Sequence, residues 1–207
     1  MIPLDIFADP VCPWCLIGKL ELDRALESRP LHPFQIAWHP FRLNPHMPRG
    51  GMDRIEYLHA KLGPRAQEAS RAVAERAAAL GLNLNPSPRE PDTTDAHRLM
   101  HWAGLESAQT RVMSGLMRAH WQEARDIGDA AELALIAGAA GMDADMVARL
   151  LASDADRDEI AAREQHARNR GISSVPTFIV ANQHAISGAQ PASLWQQVID
   201  ELAAAPK

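Results

Sequence analysis

Hydrophobic and polar positions alternate near the start of the chain in two short segments typical of β-strands. Residues 4–8 and 34–39 alternate apolar with polar side chains and include aromatic and β-branched residues. Between them, apolar residues recur every three or four positions after Cys12, which predicts a helix that ends before Pro30. Pro13 suits its first turn, where a missing N–H costs nothing. This β-α-β opening predicts a parallel pair of strands, with two cysteines at the strand-to-helix junction.

The pattern changes at about residue 50 to alanine-rich helical spacing with glycine stops. It predicts a run of helices as far as Gly171 and no strand between about 50 and 172. Several short polar residues suit helix N-caps. They are Asp53, Thr93 or Thr94, Asp129 with Glu132 as a capping box, Asp143 and Ser153.

Strand patterns return after Gly171. Residues 175–180 and 184–187 predict a hairpin around a turn at 181–183, and Pro191 opens a terminal helix. The whole pattern predicts an α/β fold in which an all-helical insertion divides one sheet domain. We place the first part of that domain at 1–48, the insertion at 49–170 and the second part at 171–207.

Composition and charge narrow the class of protein. The 207 residues are 46% hydrophobic and 23% charged, as in an ordinary globular protein. A net charge of -5 and the lack of a basic cluster argue against a nucleic-acid partner. The first residues lack a signal-peptide pattern, and no apolar run reaches the ~20 residues that cross a bilayer. We therefore expect a cytoplasmic protein without a membrane partner.

Both cysteines of the chain lie in one turn, Cys12-Pro13-Trp14-Cys15. A structural disulfide is disfavoured in the cytoplasm, and it stabilises little when it closes so short a loop. A zinc site usually needs four ligands, of which one such pair supplies two, and we expect no metal here. A CxxC pair at the first strand-to-helix junction of an α/β pattern favours redox chemistry instead.

The predicted geometry gives the two thiols different chemical roles. Cys12 lies at a helix N-terminus, where free N–H groups and the helix dipole favour a thiolate nucleophile. Cys15, one turn later, would resolve the mixed disulfide. Pro13 stiffens the turn, and Trp14 brings no positive charge. Asp9 either accepts the proton of Cys15 or bonds the loop backbone.

A second feature lies far along the chain at Val175-Pro176. Proline at the start of a strand is unusual unless its peptide bond is cis or the strand is at an edge, although an ordinary trans proline remains an alternative. A cis bond would expose the backbone of Val175 to an extended substrate peptide beside the thiols.

These motifs together resemble a known family. The chain carries CPWC followed by LIGK (12–19), TDAHRL (94–99), VPTF (175–178) and SGAQ (187–190) in that order. It resembles the DsbA-like thioredoxin-fold oxidoreductases of the FrnE type over nearly its whole length. The resemblance implies a thioredoxin fold with a helical insertion and thiol–disulfide oxidoreductase or isomerase activity. It also implies a nucleophilic Cys12, a resolving Cys15 and a cis Pro176.

Relatives with the same architecture include 2-hydroxychromene-2-carboxylate isomerases and kappa-class glutathione transferases, in which serine takes the active position. Both cysteines argue against those activities, but glutathione remains open as a co-substrate. His97 and Arg98 either line a groove beside the thiols or form a polar helix face or an interdomain hydrogen bond. Gln190, before the last helix, either helps to bind a ligand carboxylate or belongs to a bulge and cap.

The main hypothesis is dithiol–disulfide exchange on protein or peptide substrates without a metal or organic cofactor. A glutathione-dependent isomerase or transferase is the first alternative, and a polypeptide-binding chaperone is the second. The sequence indicates neither the direction of exchange nor the oligomeric state.

Overall fold

A four-stranded mixed sheet forms the frame of the protein in the computed structural model, which describes residues 1–204. This sheet contains β1 Ile2–Ala8, β2 Phe34–Pro40, β5 Thr177–Val180 and β6 His184–Ser187. A second, smaller sheet contains β3 Met52–Asp53 and β4 Arg89–Glu90. The helices are α1 Pro13–Ser28, α2 Arg54–Leu62, α3 Ala66–Ala79, α4 Thr94–Leu105, α5 Gln109–Gln122, α6 Ala130–Ala139, α7 Ala144–Leu151, α8 Arg157–Asn169 and α9 Ala192–Ala204. The main sheet has the order β2-β1-β5-β6.

The sheet combines the two ends of the chain, as the sequence predicts. β1 and β2 are parallel with Ile6 opposite Trp38, and β5 runs antiparallel to β1 with Phe178 opposite the same Ile6. α1 connects these two parallel strands in a β-α-β unit. The carboxyl end of β1 therefore leads directly into the cysteine turn.

Helices cover both faces of the sheet. α1 and α9 pack together on one face, where Phe178 of β5 meets Trp195 of α9 with ring centroids 4.7 Å apart. α4, α5 and α8 contact β2. Buried apolar side chains form one continuous cluster from the sheet through α4, α5 and α6. The helical insertion thus shares its core with the sheet.

The insertion contains a small sheet that the sequence does not predict. β3 and β4 pair antiparallel, with Met52 opposite Glu90 and Asp53 opposite Arg89. The prediction of no strand between about 50 and 172 is therefore wrong. Two residues are too few to show an alternating pattern, so this pairing depends on tertiary contacts.

Some helix caps also differ from those predicted. Asp53 and Asp143 cap α2 and α7 through their side chains as expected. At α4 Thr93 is the N-cap residue, but its side chain makes no capping hydrogen bond, and the carboxylate of Asp92 accepts the Thr94 N–H at 3.0 Å. Asp129 caps α6, but its capping-box partner Glu132 pairs with Arg125 instead.

The helix expected from Ser153 begins later, at Arg157, after Asp156 in a left-handed conformation with φ of 60°. None of the helices in residues 1–204 has the length and apolar character needed to span a bilayer.

Candidate active site

The two cysteines occupy the first turn of α1 at the carboxyl end of β1. Cys12 is the N-cap residue, and its sulfur accepts the Cys15 N–H at 3.3 Å. Pro13 takes the first helical position, so the cap leaves one fewer N–H unpaired. Both thiols are free, and Cys12 and Cys15 are 3% and 1% exposed. The exposed neighbour is Trp14, at 42%.

The Val175–Pro176 peptide bond is cis and lies against this turn. The Cys12 thiol lies 3.7 Å from the Val175 carbonyl oxygen, in a contact across 163 positions of sequence. The Gly188 N–H donates to the Pro176 carbonyl at 2.8 Å, which ties this loop to the end of β6. The expected cis proline is confirmed, and the two halves of the chain meet at the Cys12 sulfur.

Gly18 of α1 allows this close approach. A Cβ at this position would lie 3.1 Å from Cγ of Pro176 and 3.4 Å from Cζ of Phe178. Any side chain here would press on the cis-proline loop. The CPWCLIG segment therefore provides both the thiols and the clearance for the loop beside them.

The environment of Cys15 separates the two thiols chemically. Burial raises the pKa of the Cys15 thiol well above its usual value, and the adjacent Cys12 sulfur raises it further. The nearby charge of Asp9 acts in the same direction, while a hydrogen bond with the Asp9 backbone opposes it. A thiol in this setting keeps its proton until a base in the interior removes it.

A cavity of about 510 Å³ opens beside Cys12 between the cysteine turn and the insertion. Cys12, Trp14 and Val175 line one side of it. The opposite wall is mainly apolar and comes largely from α2 and α3. Its apolar side chains include Leu43, Leu58, Leu62, Val73, Leu84 and Trp121.

Five polar residues interrupt this wall: Arg54, Tyr57, Lys61, Ser70 and Glu90. Arg54 Nη1 donates to the Glu90 carboxylate at 2.7 Å, and Glu90 is 2% exposed. Burial raises the pKa of Glu90 to about 7, although Arg54 lowers it in part. Burial and the charge of Glu90 also raise the pKa of Tyr57. Lys61 Nζ bonds the Tyr57 hydroxyl at 2.7 Å.

Asp9 lies behind the cysteine turn and is completely buried. Its Oδ2 accepts the Leu43 N–H at 2.7 Å and the Thr93 hydroxyl at 3.3 Å. Its backbone carbonyl accepts the Cys12 N–H at 2.9 Å. Asp9 thus organises the loop backbone, as one of the two interpretations expected. Its carboxylate also acts electrostatically on Cys15, and acceptance of the Cys15 proton stays a prediction.

The structure does not bring His97 and Arg98 to the groove. Arg98 is 0% exposed and donates to the carbonyls of Leu150, Ser153 and Ala155 around the end of α7. It therefore holds the insertion together rather than meeting a substrate. His97 is 2% exposed and points to Asp9, with Nε2 3.5 Å from Oδ1.

Gln190 also makes a local contact, donating to the Ser187 carbonyl at 2.7 Å. The start of α9 beside it already has an anion, because Glu21 accepts the Ala192 N–H at 2.9 Å. This arrangement matches the bulge-and-cap alternative, and Glu21 occupies the N–H of the first residue of α9.

The charged residues of the cavity wall were missed by sequence reasoning. The segment from 54 to 62 carries apolar residues at helical spacing. In the structure Ile55 is 68% exposed and Leu58 lines the cavity. An apolar stripe on a helix without enough neighbours to bury it was the available signal, but the stripe does not indicate which cavity it faces.

Residues 3–200 match the DSBA-like thioredoxin domain. The chain belongs to this family. A probable DsbA oxidoreductase from Streptomyces coelicolor is 28% identical, with a TM-score of 0.87 over 100% of this chain and 92% of that one. The uncharacterized protein YwbO of Bacillus subtilis (strain 168) is 25% identical over 209 residues, covering 97% of this chain and 96% of that protein.

A more distant structure shares the fold. The cytosolic disulfide reductase DsbM from Pseudomonas aeruginosa, solved with GSH, is 16% identical with a TM-score of 0.69, covering 97% of this chain and 98% of that one. The family assignment and the sheet with its helical insertion establish a DsbA-like thioredoxin fold and a thiol–disulfide oxidoreductase family for this chain.

Proposed function

We propose that this DsbA-like protein exchanges disulfides with protein or peptide substrates through Cys12 and Cys15. The observation that carries the proposal is the position of the Cys12 sulfur, at the N-cap of α1 and 3.7 Å from the Val175 carbonyl. This position supports the proposal, because an extended peptide that paired with the backbone of Val175 would lie next to the Cys12 sulfur.

In the reducing direction, the Cys12 thiolate attacks one sulfur of the substrate disulfide. The Cys12–substrate bond forms as the substrate S–S bond breaks, and the first substrate thiolate leaves. The helix N-terminus favours the attacking anion.

Resolution then requires the proton of Cys15. Asp9 accepts it, and the Cys15 thiolate attacks the Cys12 sulfur. The internal Cys12–Cys15 bond forms, the second substrate thiolate leaves, and two electrons have passed from the dithiol to the substrate. Because both cysteines lie in one helical turn, this second attack is intramolecular and has a high effective concentration. The reverse sequence oxidises a substrate dithiol, and the two directions combined give isomerisation.

The apolar wall of the cavity beside Cys12 favours a substrate that carries an apolar group next to its reacting sulfur. Its volume of about 510 Å³ lies in the range of small-ligand sites, so glutathione as a co-substrate is a second proposal. DsbM, which shares the fold, was solved with GSH. The chemistry of two thiols needs no metal or organic cofactor. We further propose that the protein works in the cytoplasm on soluble thiol partners rather than on nucleic acid or membrane.

The test is insulin reduction by dithiothreitol, paired with a glutathione-dependent assay on a small disulfide. Wild type is expected to accelerate insulin reduction, and Cys12→Ser is expected to lose this activity. Equal activity of the two proteins in every thiol assay would overturn the proposal. Activity confined to the glutathione-dependent assay would favour the second candidate over a protein substrate.

A further inference from the structure

A buried histidine of the insertion faces the carboxylate behind the cysteine turn. His97 belongs to the first turn of α4, where its N–H donates to the Thr93 carbonyl at 3.0 Å. Its Nε2 lies 3.5 Å from Oδ1 of Asp9, and both side chains are almost fully buried, at 1% and 0% exposure. Within residues 1–204, neither of these two atoms has a hydrogen-bond partner.

The two carboxylate oxygens of Asp9 thus have different hydrogen-bond partners. Oδ2 is held by the Leu43 N–H and the Thr93 hydroxyl. Oδ1 has only His97 opposite it, slightly beyond hydrogen-bonding distance. A buried polar atom without a partner is costly, so two such atoms facing one another at 3.5 Å mark a contact that a small shift converts into a hydrogen bond.

We propose that His97 is a positioning residue, an inference that rests on the proposed function. His97 donates its Nε2–H to Oδ1 of Asp9 and so controls the removal of the Cys15 proton. In the resolving step the proton moves from Cys15 Sγ to the Asp9 carboxylate. The Cys15 thiolate then displaces the substrate thiolate from Cys12. His97 keeps its own proton throughout and acts only through the hydrogen bond.

The hydrogen bond from His97 to Asp9 determines the direction in which loss of His97 moves the pH dependence of the resolving step. A donor on a carboxylate stabilises its charged form, so the carboxylate stays available as a base at lower pH. Without the donor, the carboxylate holds a proton up to higher pH, and fewer molecules can accept the proton of Cys15. The acid limb of the resolving rate therefore moves to higher pH.

Other titratable groups lie in the same interior and contribute to the electrostatic environment of Asp9. Asp9 interacts electrostatically with titratable groups from α1, α2, β4 and α5: Cys15, Tyr57, Glu90 and His120. Of the residues close to the carboxylate, His97 and Thr93 come from the insertion and its α4 cap. The proposal therefore gives the insertion a part in the chemistry of the sheet domain.

The experiment follows the resolving step alone. Reduced protein reacts with bis(2-hydroxyethyl) disulfide, an uncharged probe, and samples are quenched in acid, alkylated and weighed by mass spectrometry. Conversion of the mixed disulfide into the internal disulfide is measured across acid to neutral pH. Wild type, His97→Leu, His97→Gln, Asp9→Asn and the Asp9→Asn/His97→Leu double variant are compared.

His97→Leu fills the site without a donor and should shift the acid limb up by about half to one pH unit, slowing acid-side resolution about three- to tenfold. The preceding attack by Cys12 should keep its rate. His97→Gln retains an N–H and should fall between Leu and wild type. In the Asp9→Asn background, His97→Leu should have no further effect on the pH profile.

Profiles that overlay for wild type and His97→Leu would overturn the role of His97, as would equal slowing of both steps or equal shifts in the Leu and Gln variants. If His97→Leu does not fold, His97→Gln and Asp9→Asn still test the role of His97, because wild-type pH profiles for both variants would also contradict that role. A wild-type protein that forms no internal disulfide would instead contradict the proposed function itself.

Discussion

At the scale of single residues, the side chain between the cysteines sets the electrostatics around Cys12. Trp14 is 42% exposed and carries no charge, so no cation from this position supports a thiolate at the helix N-terminus. The helix dipole and the cap hydrogen bond from the Cys15 N–H supply that support. We therefore expect a redox couple less oxidising than one with a cation in the same place.

Trp14→His adds a protonatable ring beside Cys12. It should stabilise the reduced, thiolate-containing form and raise the reduction potential by about 30 mV, equivalent to ~1.4 kcal/mol. Equilibration with glutathione redox buffers measures the potential, and Trp14→Phe is the uncharged control. An unchanged potential in the histidine variant would show that this position does not control the couple.

Gly18 provides a second residue-scale prediction. A valine here must displace the Pro176 ring, because even its Cβ would lie 3.1 Å from Cγ of Pro176. We expect Gly18→Val to lose about 1–3 kcal/mol of stability through overpacking and also to slow exchange by moving the loop from Cys12. Gly138→Val, in α6, is the matched control, because its Cβ would meet Ala144 at 3.3 Å, among residues that do not line the Cys12 cavity.

Thermal unfolding and the insulin assay together separate the two effects. Both glycine variants should unfold at lower temperature, but only Gly18→Val should lose exchange rate in the folded state. Equal activity in the two variants would mean that the cis-proline loop tolerates displacement.

At the scale of elements, a buried ion pair fastens α2 to the small β3–β4 sheet at the wall of the cavity. Arg54 is the first residue of α2, and Glu90 lies in β4. Because burial raises the pKa of Glu90 to about 7 from 4.5, the folded protein holds a proton that the unfolded chain releases at lower pH. The stability associated with this proton is present below pH 4.5 and falls as the pH rises towards 7.

Glu90→Gln removes this titration. The stability of wild type relative to the variant should decline between about pH 5 and 8, by on the order of 2–3 kcal/mol. Urea unfolding at several pH values measures the difference. A relative stability that rises with pH would contradict it, because that result requires a Glu90 whose ionised form is favoured by folding.

The elements that the sequence predicted are those with their own periodic pattern. β1, α1 and β2, the glycine-bounded helices and the final hairpin all follow from apolar spacing, capping and turn residues. The cysteine turn was predictable for the same reason, since residues 12–15 are contiguous. The β3–β4 sheet and the polar wall of the cavity were not, because Arg54 meets Glu90 only after the insertion has folded.

The same reason explains the corrected roles of His97 and Arg98. The sequence shows a polar pair on a helix, but the direction of each side chain depends on elements more than 50 positions away. Arg98 is fixed by carbonyls between residues 150 and 155, and His97 by its proximity to Asp9. Burial of these two side chains is a property of the assembled molecule.

At the scale of the whole molecule, the core is continuous between the insertion and the sheet, so we expect the two to unfold together. His120 of α5 lies within this core at 0% exposure, in edge contact with Trp121. Burial, together with the charge of Arg54, lowers the pKa of His120 to about 3 from 6.5. Folding therefore favours the neutral ring, and this contribution to stability is lost as the pH falls from 6.5 towards 3.

His120→Leu should weaken this acid sensitivity. Wild type should lose more stability than the variant between about pH 7 and 4, with a difference on the order of several kcal/mol. Calorimetry or urea unfolding at each pH gives the two curves, and near-UV and far-UV circular dichroism show whether sheet and insertion melt together. Parallel stability curves would contradict a histidine buried in its neutral form.

The central claim concerns the order in which the two thiols act. Cys15→Ser cannot resolve a mixed disulfide, so incubation with an oxidised peptide should leave the peptide attached to Cys12, as shown by intact mass and peptide mapping. Cys12→Ser should capture little peptide, because Cys15, unlike Cys12, does not line the cavity and burial raises the pKa of its thiol. Capture at Cys15 in the Cys12→Ser variant, with none at Cys12 in the Cys15→Ser variant, would contradict the mechanism.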